Sequence, residues 1–233
     1  MKKRCLCLLL ILVLMLTGCG GDKESISGSV QPATQPAETE PAETERPVSM
    51  GRMEGGVYTN SYVGFGCDLD SSWTFYSAEE LQELPANAKE ILEDSELGDA
   101  INPLDQFTDM MAENVEQLCT MNLLYQKIPA ENRMAYAILS EEQIMEEVLK
   151  EKDKMIEAYA QGGFDVTSME TVKVTFLGKE RTALKTASIT QGVAYYTLQL
   201  FDYKSGAYST TLTLASFVDD NTADLLDLFY SVD

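Results

Sequence analysis

The chain has 233 residues and a net charge of −21, because 38 aspartate and glutamate residues outnumber 17 lysine and arginine residues. A field of that sign repels nucleic-acid phosphate, so we expect no nucleic-acid partner. The chain contains no histidine, which excludes Ser-His-Asp and Cys-His nucleophiles and zinc ligation by imidazole. We expect no cofactor, no metal and no catalytic residue; any catalysis would have to use carboxylates, lysines or a hydroxyl-lysine pair.

The first residues have the pattern of an export signal. A basic segment, Met1–Arg4, precedes an apolar run over residues 6–16. That run is too short to cross a membrane, since a spanning helix needs roughly 20 apolar residues. It ends in the sequence Leu-Thr-Gly-Cys at residues 16–19, which resembles the lipobox of bacterial lipoproteins at all four positions.

The lipobox resemblance implies how the protein is anchored. It implies that the Cys19 thiol receives a diacylglyceryl group and that a signal peptidase cuts between Gly18 and Cys19, so that residues 1–18 are a signal peptide. Their removal takes away three basic residues and changes the net charge from −21 to −24. Two acyl chains suffice for stable anchoring. We therefore expect a protein on the extracytoplasmic face of the cell membrane, in a Gram-positive bacterium.

Residues 19–56 are predicted to be a disordered tether that begins at the lipidated cysteine. The segment is rich in proline, glutamate and threonine, and Pro36–Glu40 is repeated as Pro41–Glu45. Such a composition offers almost nothing to bury and favours an extended chain. The tether would hold the folded part away from the membrane.

Residues 57–233 are predicted to form one globular domain that mixes strands and helices. In its first half, Ser77–Glu80 has the form of a helix capping box, and Pro85 is expected to interrupt the helix that follows. A polar turn is expected at Glu113 and Asn114. The pattern predicts strands over 57–59, 62–69, 73–76, 107–112 and 119–127, and helices over 78–84 and 87–92.

The second half of the domain opens with the clearest helix. It is predicted over residues 140–161, from a capping box at Ser140 to the pair Gly162-Gly163. Asn221 is expected to cap a terminal helix that includes Phe229. Strands joined by short glycine-containing links predict antiparallel hairpins. They are expected over 164–169, 172–177, 182–189, 193–203 and 207–217.

The mature chain keeps two cysteines besides Cys19, namely Cys67 and Cys119. Each cysteine lies an even number of residues from several apolar residues of its predicted strand, so both are expected on the buried faces of strands. Export permits a disulfide between them, but two cysteines do not make a disulfide framework in a domain of this size. Two buried free thiols and one disulfide both remain open.

The order of elements predicts an α+β domain with a central antiparallel sheet flanked by helices. The opening of the domain looks like the start of PsbP/Mog1-like domains, through the motif Tyr58-x-Asn60-x-Tyr62-x-Gly64-Phe65, Leu69, Trp73-x-Phe75 and the Ser-x-Glu-Glu helix start. The similarity covers nearly all of residues 57–233. It implies an α/β/α sandwich used as a binding or assembly module, and it transfers no ligand-binding residue.

Few residues suggest a site. Asp68 and Asp70 could bind calcium, but no Asp-x-Asp-x-Asp-Gly loop surrounds them, and an ordinary acidic turn is the simpler interpretation. Trp73 could line a groove or anchor the core. The best candidate for a binding surface is a solvent-facing tyrosine beside Gln199 and Thr197, drawn from the tyrosines at 195, 196, 203 and 208.

We therefore expect a lipid-anchored, extracytoplasmic and non-catalytic module that binds a protein or a small molecule. One alternative is an accessory subunit of a membrane complex, which would expose a large apolar patch. Another is a cell-envelope hydrolase that uses two carboxylates about 5–10 Å apart in a cleft.

Overall fold

The computed structural model describes residues 51–91, 106–202 and 207–232. The predicted signal peptide, Cys19 and the tether up to residue 50 lie outside these ranges. The strands are β1 (Arg52–Glu54), β2 (Val57–Asn60), β3 (Phe65–Asp68), β4 (Thr74–Phe75), β5 (Gln106–Asn114), β6 (Cys119–Lys127), β7 (Asp165–Phe176), β8 (Lys179–Thr190), β9 (Val193–Asp202), β10 (Tyr208–Phe217) and β11 (Phe229–Ser231). The helices are α1 (Ala78–Ile91), α2 (Arg133–Ala137), α3 (Glu141–Lys150) and α4 (Lys152–Gln161), with 3-10 helices at Ala130–Asn132 and Asp224–Leu228.

The strands form two antiparallel sheets. The large sheet has seven strands in the order β4-β5-β6-β10-β9-β8-β7, and the small sheet has four in the order β1-β2-β3-β11. Neighbours in the chain are mostly neighbours in the sheet, as hairpin connections require. One hairpin joins β7 to β8 through Leu177 and Gly178, whose φ angles of 52° and 74° fit a two-residue type I′ turn.

The large sheet separates two hydrophobic cores. Consecutive residues of a strand point to opposite faces, and β6 shows the result: Leu123 packs in the core beneath the small sheet, whereas Leu124 packs in the core beneath the helices. The helix-side core also holds Leu81 of α1, Val148 of α3 and Tyr159 of α4. The three longer helices therefore cover one face of the large sheet, and the small sheet covers the other.

This arrangement confirms the predicted fold class in part. The domain is α+β with a central antiparallel sheet that carries helices. It is dominated by its sheets, and in the described residues a second sheet occupies the layer where an α/β/α sandwich would have helices.

The small sheet depends on a glycine in its central strand. Gly66 of β3 lies opposite Thr59 of β2 on one side and Tyr230 of β11 on the other. A Cβ atom built on Gly66 would lie 2.5 Å from the carbonyl oxygen of Tyr58. Only glycine permits the strands to approach this closely.

Two predictions about helices were wrong. The helix α1 runs through Pro85 to Ile91 instead of stopping, at the cost of the hydrogen bond that a proline cannot donate. The predicted helix over 140–161 is broken at Glu151, whose N–H donates to the carbonyl of Val148 at 3.1 Å. That i→i−3 bond tightens the turn, and a separate helix, α4, begins at Lys152. The capping box at Ser140 is present.

Several element boundaries also differ from the predictions. Residues 61–64 form a turn, so β3 begins only at Phe65, and the turn between β5 and β6 lies at 115–118. The segments 164–169 and 172–177 are one strand, β7, and Phe229 begins β11 instead of ending a helix. Neither β1 nor α2 was predicted from the sequence.

Candidate functional site

A cleft of about 270 Å³ opens between the two sheets. It lies where the loop before β3 and the end of β11 pass over strands β8, β9 and β10 of the large sheet. The residues that line it are Val63, Gly64, Phe65, Leu123, Phe176, Leu177, Lys179, Arg181, Leu200, Phe201, Asp202, Thr210, Leu212 and Ser231. This volume lies just below the usual range of about 300–1,000 Å³ for small-molecule sites.

The floor of the cleft is apolar. Leu212 of β10 lies opposite Leu200 of β9 and Leu123 of β6 in the ladder of the large sheet. From the small sheet, Phe65 closes the cleft and makes an edge-to-face contact with Phe176, with ring centroids 5.5 Å apart. A ligand that enters the cleft would therefore bury apolar surface against these side chains.

The mouth of the cleft is polar and charged. Two residues along the ladder from the leucine row, and on the same face of the sheet, Thr210 lies opposite Asp202. Arg181 of β8 donates from Nη2 to the carbonyl oxygen of Phe201 at 3.2 Å, which fixes its guanidinium at this edge. Ser231 and Lys179 complete the mouth. An apolar floor with a few polar groups at the opening is the usual plan of a ligand site.

The charges at the mouth are not equally compensated. The Arg181 guanidinium forms an ion pair with Glu141 at the start of α3, and Asp202 also has a partner. Lys179 has an ion-pair partner in none of the described residues. The side chains that line the cleft therefore carry two positive charges, on Lys179 and Arg181, and one negative charge, on Asp202, in a chain whose net charge is −21.

A buried hydrogen-bond network joins the two sheets beside the cleft. Asn60 of β2 donates from Nδ2 towards the hydroxyl of Tyr58 at 2.8 Å, the hydroxyl of Tyr125 at 2.7 Å and Oδ2 of Asp109 at 2.7 Å. Asp109 sits at the bulge of β5, where the register shifts between Thr108 and Met110. Its Oδ2 also accepts from the Tyr58 hydroxyl at 2.5 Å and from the Gly51 amide at 2.8 Å.

The two tyrosines of this network remain protonated to high pH. Burial raises the pKa of Tyr58, and the Asp109 carboxylate raises it further because a second negative charge beside it is unfavourable. The pKa of Tyr125 is raised by the same two causes in the same order. Both hydroxyls therefore serve as hydrogen-bond donors and acceptors that fix the spacing of the sheets.

Asn60 also shapes the loop that lines the cleft. Its Oδ1 accepts from the amides of Tyr62 at 2.9 Å and Val63 at 3.4 Å, and its carbonyl accepts from the Gly64 amide at 3.0 Å. Val63 and Gly64 line the cleft. Asn60 is thus a positioning residue. In the sequence it was visible only as part of a structural motif, and no sequence pattern indicated a functional role for Asp109 or Arg181.

Both cysteines are buried and free in the structure. Burial raises the pKa of the Cys67 thiol to about 12 and also raises that of Cys119. Thiols of this kind react slowly, because the thiolate is the reactive form. Neither cysteine lines the cleft.

The predicted tyrosine surface does not exist. Gln199 and Thr197 are 1% and 2% exposed, and Tyr195 is 1% exposed, because this face of β9 lies beneath the helices. Tyr203 lies outside the described residues. The prediction failed because alternation shows that two faces exist but not which layer covers each of them.

The other sequence candidates have structural roles. Asp70 accepts from the amide of Ser72 at 2.8 Å, as in an ordinary acidic turn. Trp73 and Phe75 pack against the core beneath the small sheet. Within residues 51–91, 106–202 and 207–232, no three Cys, Asp or Glu side chains are grouped so that they could hold a metal ion. None of the helices in those ranges has the length and apolar character needed to cross a bilayer.

Among the described residues that line the cleft, Asp202 is the one carboxylate. A carboxylate-dependent hydrolase requires two carboxylates about 5–10 Å apart, and the described lining does not supply that pair.

The chain matches no protein-family model and none of the curated proteins.

Proposed function

We propose that this chain is a lipid-anchored, extracytoplasmic binding protein that holds a small ligand in the cleft between its two sheets and catalyses no reaction. The observation that carries the proposal is the cleft itself, in which an apolar floor of leucine and phenylalanine meets a charged mouth. Diacylated Cys19 would attach the protein to the bacterial membrane, and the tether would place the cleft outside it. The PsbP/Mog1-like relationship is part of the proposal and rests on the sequence motif that runs from Tyr58 to Phe75.

The binding role is tested by filling the cleft. Ser231 is an exposed strand residue at the mouth, so Ser231→Trp places an indole there. Ser168 is an exposed strand residue on β7, and Ser168→Trp is the matched control. The full chain in phosphatidylcholine nanodiscs is incubated with the small-molecule fraction of a bacterial extract, and the retained compounds are measured by mass spectrometry.

We expect wild type and Ser168→Trp to retain the same compounds and Ser231→Trp to lose them. Equal retention by all three chains, or retention by none, would contradict a binding role for the cleft.

The anchor is tested separately with Cys19→Ala. We expect the wild-type chain in the membrane fraction of a bacterial host and the variant outside it, because the variant has no thiol to acylate. Cys67→Ala, which also removes a thiol, is the control and should stay with the membrane. Retention of Cys19→Ala in the membrane would disprove the anchor.

A second function, as an accessory subunit, is favoured by the outer edge of β7. This strand of 12 residues is at the end of the large sheet. Among the described residues, Lys152 covers the first half of this edge, because it donates to the Met169 carbonyl at 2.9 Å. A partner's strand could pair with the remainder. Thr171→Pro, which removes a backbone donor from this edge, would then abolish membrane-complex assembly but not ligand retention.

A further inference from the structure

We infer that the ligand of the cleft is a small anionic amphiphile, with a short apolar body and a carboxylate or similar head. This inference rests on the proposed function and adds the chemical class of the ligand. Three properties of the cleft carry it, namely the position of its apolar floor, the excess of cationic over anionic side chains in its lining and its size.

The apolar and polar groups are separated along the strands, so they fix the orientation of the ligand. The leucine row at 123, 200 and 212 lies two residues along the ladder from Thr210 and Asp202. A ligand body in contact with the leucines would place its head between Thr210 and the cationic side chains of Lys179 and Arg181. Burial of each CH₂ group of that body tightens binding about fourfold.

The charge of the mouth selects the sign of the head. Glu141 already pairs with Arg181, whereas Lys179 has no ion-pair partner among the described residues, so Lys179 is the charge that a ligand can compensate. Arg181 can still contribute hydrogen bonds, since a guanidinium has five N–H donors. An ammonium head would meet Lys179 with the same sign and is therefore disfavoured.

The acidity of the whole chain does not prevent anion binding. The net charge of −21 is spread over the chain, and at physiological salt the Debye length is about 8 Å. Carboxylates beyond that distance are largely screened, so an anion at the mouth experiences mainly Lys179, Arg181 and Asp202. The distant charge slows its approach but does not remove the local attraction.

The volume of the cleft limits the size of the ligand. A water-sized group occupies roughly 30 Å³, so a cavity of about 270 Å³ holds about nine such groups. Straight-chain octanoate, with ten non-hydrogen atoms, is a suitable probe. Long acyl chains such as those on Cys19 would not fit inside.

The experiment compares three probes of equal length and different charge: octanoate, octanol and octylammonium. Each is titrated into the full chain in phosphatidylcholine nanodiscs by calorimetry, with empty nanodiscs to subtract partition into lipid. We expect octanoate to bind about tenfold more tightly than octanol and octylammonium to bind most weakly. Lys179→Gln should weaken octanoate binding about fivefold, as expected for one partly exposed charge pair, and leave octanol binding unchanged.

Lys150→Gln is the matched control, because Lys150 lies on α3 and pairs with Glu147 away from the cleft. It should change neither affinity. Equal affinities for octanoate and octanol, unchanged by Lys179→Gln but lost in Ser231→Trp, would overturn the anionic class and leave the cleft as a binding site. If no probe binds and Ser231→Trp behaves as wild type with every compound, the proposed function itself is wrong.

Discussion

Asn60 and Asn122 are both almost fully buried, at 2% and 1% exposure, but they lie on opposite sides of the large sheet. Asn60 is in the layer beneath the small sheet, and both ends of its amide are hydrogen-bonded. Asn122 lies between Met121 and Leu123, which face the small sheet, so its side chain faces the helices. Neither its Nδ2 nor its Oδ1 has a hydrogen-bond partner.

The same contrast extends beyond the two asparagines. On the helix side, Gln199 shares one hydrogen bond with Thr213 at 3.2 Å, but its Oε1 has no partner, and neither does Oγ1 of Thr211. On the small-sheet side, buried polar groups are concentrated in the network of Asn60 and Asp109. The difference indicates that buried polar contacts fix the two sheets to each other beside the cleft, whereas several buried polar atoms on the helix side have no hydrogen-bond partner.

The largest expected effects come from adjacent leucines on the two faces. Leu124→Ala should lower the free energy of unfolding by about 4 kcal/mol, because it leaves a cavity in a closed apolar core. Leu123→Ala should cost about 3 kcal/mol, because one side of Leu123 already borders the cleft and packs less tightly. Urea denaturation of both variants measures the difference. A larger loss for Leu123→Ala would show that the cleft is closed in solution.

Substitution of leucine for each of the two asparagines tests the difference between the small-sheet side and the helix side. Asn60→Leu should lower the free energy of unfolding by about 3 kcal/mol, because it leaves the buried Tyr125 hydroxyl without the amide that donates to it and removes one of the donors to Asp109. Asn122→Leu should raise it by about 1 kcal/mol, because leucine has a similar shape and no unpaired polar atoms. Urea denaturation again provides the measurement. Destabilisation by Asn122→Leu would mean that the helix-side amide has partners in solution.

Alkaline pH should lower the free energy of unfolding, because the buried thiol of Cys67 beneath the small sheet resists ionisation in the folded chain. The pKa of Cys67 is about 12 in the folded chain and about 8.5 in an unfolded one, so unfolding releases a proton between these values. The contribution of Cys67 to stability is complete below about pH 8.5 and is lost as pH rises towards 12, by at most about 1.4 kcal/mol per pH unit.

Urea denaturation at about pH 8 and about pH 10.5 tests this prediction in wild type and Cys67→Ala, whose decline should be shallower. Tyr58 and Tyr125 add to the decline of both chains above about pH 10. Parallel declines of the two chains would show that Cys67 does not contribute.

The smallest effect concerns the helix layer. Ser140→Ala removes the hydroxyl that accepts from the Gln143 amide at 3.3 Å and should cost about 1 kcal/mol in urea denaturation. Ser77 accepts in the same way from the Glu80 amide at the start of α1, so Ser77→Ala should cost the same. A loss above about 2 kcal/mol at either serine would indicate that helix capping also contributes to the tertiary packing of this layer.

Local sequence signals predicted much of the secondary structure. Alternation predicted the existence of β6, β9 and β10, and alternation in β3 and β6 predicted the burial of Cys67 and Cys119. The capping boxes at Ser77 and Ser140 predicted where α1 and α3 begin. These signals are reliable because they depend on hydrogen bonds and periodicity within a few residues.

The elements that were not predicted correctly are those whose conformation depends on contacts with residues far away in the sequence. The turn at residues 61–64 is held by Asn60, which is itself fixed by Tyr125 and Asp109 from the large sheet. β11 exists because Phe229–Ser231 pair with β3, more than 160 residues earlier in the chain. No local pattern could have shown either partner.

By itself, the sequence determined most of the longer strands, the start of two helices, the pairing of neighbouring strands in hairpins and the acidic, histidine-free chemistry of the chain. It also predicts the lipid anchor at Cys19 from four adjacent residues. Only the tertiary structure decided that a second sheet covers one face of the large sheet and that Lys179, Arg181 and Asp202 meet at the mouth of a cleft. The physical reason is that periodicity specifies a buried face, whereas long-range packing decides what buries it and where it leaves a cavity.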